Sequence, residues 1–143
     1  MIPVRRPDWR GRLSTVVEAA LQRPFEWGVH DCALFAGEAV LAMTDVDLAE
    51  GWRGRYRTPL GALRVLKRAG HSDHVALAAA LLPEIHPAHA SVGDIAAVQV
   101  GDSLVIGVVI GPTVAAPGPA DLEFVPRTEI HRAFHVPFDG EGA

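Results

Sequence analysis

The sequence holds a single cysteine, Cys32, among 143 residues. No intramolecular disulfide can form, and neither a stapled secreted scaffold nor a four-cysteine zinc site is available to it. Long apolar runs are missing too. The longest, Val75–Leu82 and Leu104–Gly111, fall far short of the roughly 20 residues that span a bilayer, so no membrane span is expected. The stretch MIPVRRPDW is not followed by an apolar segment of the kind a secretory signal carries, which predicts synthesis and folding in a cytoplasm. Excess positive charge is absent: 13 Lys and Arg against 17 Asp and Glu give a net charge of -4. That balance argues against charge-driven binding to nucleic acid or to an anionic membrane. Glycine-rich phosphate loops, internal repeats and low-complexity tracts are lacking as well.

What is present is an ordinary globular composition, 49% hydrophobic and 21% charged, on a chain of 15.2 kDa. One domain over residues 1–143 is expected, beginning with a helical region to about residue 23 and ending in a tail, 138–143, that frays. A mean hydropathy of +0.19 is slightly apolar for this size and suits a surface covered by partner subunits.

Apolar residues first recur at helical spacing. Asp8 can cap a helix to about Gln22, with Leu13, Val16, Val17, Ala20 and Leu21 on one stripe, stopped by Pro24. After a turn around Gly28, a second helix is predicted from Asp31 to about Met43, burying Cys32, Phe35, Ala36, Ala39, Val40 and Met43. Residues 44–58 read as irregular loop. Thr58-Pro59 opens a third helix that Gly70 closes, and Ser72 or Asp73 caps a fourth to about Leu82. From Gly93 the pattern becomes strand-like: Ile95–Val100 and Leu104–Ile110 joined at Gly101-Asp102, short strands near Val114 and at Leu122–Val125, then a helical turn and a last strand in TEIHRAFHVPF. Helices first and an antiparallel sheet afterwards define an α+β domain with helices on one sheet face.

The segment Trp27-Gly28-Val29-His30-Asp31-Cys32 delivers the only thiol to the first turn of a helix. Free backbone N–H groups and the positive end of the helix dipole favour thiolate there, predicting a lowered pKa and a candidate acylating nucleophile. The plainer reading is a small buried hydrophobe on an apolar helix face.

HDCALFA after an aromatic-glycine turn, with GDIAAV some 60 residues further on opening a hairpin, resembles the NlpC group of papain-like cell-wall peptidases, and more closely its phage- and prophage-borne, tail-associated branch. Asp31 and Cys32 match the family's aspartate-cysteine at a helix start, and Gly93 and Asp94 its glycine-aspartate before the first core strand. The resemblance runs from Pro24 to Val136. It implies a papain-like fold, a cysteine nucleophile at Cys32, and a histidine base at the start of the second core strand. Val105 stands at that base position, so the resemblance implies the fold more directly than the activity. His30, two residues before Cys32, is the candidate substitute base. His131 and His135 lie on the terminal segment.

His71 with His74, and His86 with His89, have the spacing of paired metal ligands, but neither pair is followed by a third, and no metal or cofactor is expected. In WRGRYRT, Arg53, Arg55 and Arg57 alternate with Trp52, Gly54 and Tyr56. An extended segment would project all three guanidiniums to one side, suited to protein contacts across an interface or to ion pairs within the domain. Arg5, Arg6, Arg10 and Arg12 read as a solvated face or a docking arm.

Two functions follow as expectations. One is a structural component of a phage tail tip, baseplate hub or related gene-transfer particle, located in the virion after assembly in the bacterial cytoplasm and bound to other tail proteins. The alternative is an active cysteine peptidase or amidase in which Cys32 attacks peptidoglycan stem peptides.

Overall fold

The computed structural model describes residues 3–141. Four helices lead: α1 (Trp9–Ala20), α2 (Cys32–Thr44), α3 (Pro59–Arg68) and α4 (His74–Leu81). Three are capped by the side chain just before them. Asp31 accepts from the Leu34 N–H, Thr58 from Gly61 and Asp73 from Ala76, each meeting one of the backbone donors that a helix start leaves free. Asp73, not Ser72, is thus the cap of α4. Asp8 holds the cap position of α1 without bonding to its backbone, because its carboxylate pairs with Arg12 at 3.0 Å. The helix ends at Ala20, two residues short of the expected Gln22. At the far end of α2, the Thr44 hydroxyl donates to the Val40 carbonyl at 2.6 Å and Asp45 turns left-handed at φ 65°.

Six strands follow: β1 (Glu84–Ile85), β2 (Ile95–Val100), β3 (Ser103–Val109), β4 (Thr113–Pro117), β5 (Leu122–Pro126) and β6 (Ile130–Phe134). They form one open antiparallel sheet in the order β1-β6-β2-β3-β4-β5. The expected hairpin at Gly101-Asp102 joins β2 to β3, with Ile95 opposite Val108 and Val100 opposite Ser103. The helical turn foreseen near the end is the 3-10 turn Arg127–Glu129, which leads into β6. The two-residue β1 and the 3-10 turn Pro87–His89 are additions to the predicted set.

The α+β segregation holds. α2 crosses β3 and β4, and α1 lies on α2. Phe35, Val40 and Met43 meet Ile106, Val108 and Phe134 in the main core, on the helical face of the sheet. The opposite face carries a smaller cluster that includes Ala96, Val98, Val109, Val114 and Ala133. Alternation along β3 therefore sends Leu104, Ile106 and Val108 toward the helices and Val105 and Val109 the other way.

A buried polar knot ties the two ends of the chain together. Asp94, fully buried, accepts on one oxygen from Arg5 (2.9 Å), His135 (2.8 Å) and the Val136 N–H (3.1 Å). On the other it accepts from the Ser91 N–H (2.9 Å) and hydroxyl (3.3 Å). Arg5 is therefore no part of a solvated face. It is 4% exposed, it donates also to the Val136 and Val92 carbonyls, and its guanidinium lies 4.2 Å from the ring centroids of both Trp9 and Phe138. Gly93 makes this possible: at φ 94°, a Cβ there would sit 2.5 Å from the Arg5 guanidinium. Within the tail, Glu141 accepts from His135 (2.6 Å) and from the Phe138 N–H (3.1 Å). The last two residues of the predicted tail lie outside the described range.

Candidate functional site

The turn before α2 is built by its aspartate. Asp31 is 1% exposed, and its carboxylate accepts from the Leu34 N–H (3.0 Å), the Gly28 N–H (3.0 Å) and the Tyr56 hydroxyl (2.7 Å). Burial first, and then the bonded carboxylate, push the Tyr56 phenol far above its usual range, so it stays a donor. Gly28 is required here: at φ 82°, a Cβ would meet the Tyr56 carbonyl oxygen at 2.0 Å. The Gly28 carbonyl in turn accepts from the Gly54 N–H at 2.9 Å. Phe25 and Trp27 pack edge to face, 5.0 Å between centroids.

Cys32 is thereby fixed in the first turn of α2, but it is 8% exposed. Burial pushes its thiol up to about 11, against the pull of backbone hydrogen bonds from Ile106, Ala33 and Cys32 itself. The expected lowering is overturned: desolvation of the sulfur outweighs the helix end, and the group is a thiol at neutral pH. No imidazole bonds to the sulfur among the described residues.

Beside Cys32 opens a cavity of about 990 Å3 between α2, α3, α4 and the sheet. Trp27 and Trp52 stand on one side, Leu63 and Leu66 come from α3, and Leu77 and Leu81 from α4. From β3, Leu104 and Ile106 supply an apolar wall, while Val105 also borders the space although its side chain packs with the cluster on the opposite sheet face. Val105, which the sequence resemblance places at the base position, is thus turned away from the helices.

The structure sorts the remaining candidates. His30 is buried, lies 6.0 Å from the Phe35 ring, and leaves Nδ1 without a hydrogen bond, 4.0 Å from Glu38. Burial, then Arg23, lowers its pKa, so the ring is neutral. It is not among the residues that line the cavity. Gly93 and Asp94 belong to the polar knot and not to the cavity wall. The 52–57 segment is not extended, so its arginines form no common row. Arg53 grips Asp47 at 2.7 and 3.1 Å, Arg55 bonds the Gly51 carbonyl at 2.9 Å, Tyr56 is committed to Asp31, and Trp52 faces the cavity. Arg57 is exposed.

One residue was missed as a site residue. His74 borders the same cavity and places Nε2 3.1 Å from the Leu104 carbonyl. In the sequence it stands out only through its spacing to His71, and that ring packs near Trp52 at 6.3 Å instead. His86 and His89 lie 5.8 Å apart on the 3-10 turn, and His86 accepts from the Ala88 N–H. Among the described residues no three His, Cys, Asp or Glu side chains gather as a metal site. Among the described residues no helix is long and apolar enough to cross a membrane.

A helix-start thiol laid over an antiparallel sheet and beside a partly open apolar cavity defines an α+β domain with a cleft between its helices and its sheet. Residues 4–136 match the family described as Domain of unknown function (DUF6950), and the chain belongs to that family. A comparison with curated proteins finds no match.

Proposed function

We propose that the chain is a structural component of a phage tail tip, baseplate hub or related gene-transfer particle, built on an NlpC-type, papain-like scaffold that has no cysteine peptidase chemistry. The observation that carries this reading is the state of Cys32: a buried thiol, pushed up to about 11, beside the Ile106 backbone with no imidazole bonded to it among the described residues. Acyl transfer through a thiol needs a base to take its proton and an acid to return one to the leaving amine. A neutral sulfur in an apolar wall has neither. The neighbouring elements serve architecture: Asp31 spends its carboxylate on a cap, a turn and Tyr56, and Asp94 spends its own on joining the chain ends. Other tail proteins would be the partners, and the virion the final location.

The test has two arms. Purified protein and a Cys32→Ala variant are incubated with peptidoglycan sacculi, and soluble muropeptides are measured. Purified particles are then examined for the chain by mass spectrometry, and particles from a deletion strain for loss of tail tips. Equal, background release by both proteins together with incorporation into particles is expected. Release that Cys32→Ala abolishes would replace this reading with the enzymatic one, in which His74 is the imidazole nearest at hand on the cavity wall.

A further inference from the structure

We infer that the cavity beside Cys32 is a binding site for a single-chain amphiphile, with an alkyl body between α3, α4 and the sheet and a neutral or cationic head at the rim. The inference is independent of the tail-tip reading. The cavity is a partly open cleft of about 990 Å3, at the top of the range for small-molecule pockets. It lies where two helices point apolar faces that remain incompletely covered. On α3, Leu63 and Leu66 face the space and only Leu66 is fully buried. On α4, Leu77, Ala78 and Leu81 face it, while Val75 is the fully buried residue of the helix. An alkyl chain removes this surface from water without demanding hydrogen bonds that the walls lack.

The charges at the cavity select the head. No Lys or Arg lines it, and its three carboxylates are Asp31, Asp73 and Glu123. Asp31 is saturated by its three donors. Asp73 is exposed and uses one oxygen on the α4 cap, and half-buried Glu123 forms no ion pair among the described residues. A carboxylate head would therefore meet like charge with no Lys or Arg to offset it, the one imidazole on the wall, His74, being turned to the Leu104 carbonyl, whereas an ammonium or hydroxyl head meets acceptors.

The sole thiol reports occupancy. The full chain is titrated with dodecyltrimethylammonium, 1-dodecanol and dodecanoate, each below its micellar or solubility limit, with tetramethylammonium as the chainless control. Thermal unfolding and the rate of N-ethylmaleimide labelling of Cys32 are recorded. Dodecyltrimethylammonium and dodecanol are expected to slow labelling at least tenfold and to raise the melting temperature, whereas dodecanoate and tetramethylammonium do neither. Leu77→Trp on α4 and Ala62→Phe on α3 fill the space from two sides; whichever retains the parental circular dichroism should lose the protection. Glu123→Lys should admit dodecanoate. Absence of protection by every probe, protection by dodecanoate equal to that of the other two, or undiminished protection in a folded filled variant overturns the assignment. Protection conferred by a co-purifying protein chain and by none of the amphiphiles gives the cavity to a protein partner and overturns it equally.

Discussion

Asp31 and Asp94 are both buried and both belong to the short motifs that stand out in the sequence, yet their surroundings are opposites. Asp94 sits in a saturated knot, where a guanidinium, an imidazole, two backbone N–H groups and a hydroxyl converge on one carboxylate and segments from both ends of the domain are clamped together. Asp31 organises only local chain, its own helix start, the preceding turn and Tyr56, and beside it the packing opens into a cavity. The molecule thus has a closed region, where the polar groups are matched, and an open one, where apolar side chains line a cavity. A motif aspartate is in both cases a backbone organiser, and the chemistry depends on what packs around it.

The sharpest way to break this contrast is Asp94→Ala. It strands the Arg5 guanidinium in a site where both side chains are essentially inaccessible, and it should cost about 3–5 kcal/mol in urea unfolding. Asp31→Ala removes a cap and two further bonds and should cost about 2 kcal/mol by the same measurement. If the two losses proved equal, the distinction between a global clamp and a local organiser would fail.

The pH dependence sharpens the open region. An acid whose folded pKa is raised stays protonated in the fold while the unfolded chain releases its proton, so stability falls as pH climbs from the ordinary thiol value of 9.0 toward about 11. For Cys32 that loss is on the order of 3 kcal/mol. Cys32→Ala should flatten this part of the stability profile relative to the parent. Iodoacetamide labelling of the native thiol should rise with a midpoint near 11 instead of near the value of a free thiol. The smallest effect belongs to the 47–53 loop. Arg53→Ala breaks a pair whose side chains are 38% and 28% exposed and should change stability by no more than about 1 kcal/mol.

What the sequence made legible was local. The caps Asp31, Thr58 and Asp73 act within three residues, and the Gly101-Asp102 hairpin within two, so neighbouring residues were enough to read them. What stayed hidden depends on remote partners. Arg5 finds Asp94 and Val136 at separations of 89 and 131 residues, and no basic cluster announces that one member will be buried. β1 exists because β6 lies beside it; two residues carry no period of their own. Residues 44–58 read as loop, and the alternation in WRGRYRT would align its arginines only in an extended segment; turns at Gly51 and Gly54 and the pull of Asp47 and Asp31 on individual side chains prevent that. For Cys32 the helix end is a local influence and was foreseen. The desolvation that defeats it comes with burial in the folded chain, which neighbouring residues do not announce.

The Arg5 N–H donates to the Pro137 carbonyl at 2.9 Å, so the chain enters and leaves its fold at one spot. A guest with its doorway and its exit side by side can be spliced into a surface loop of a larger host without prying that loop apart, and a short tether between its ends would allow new openings to be cut elsewhere on its circumference.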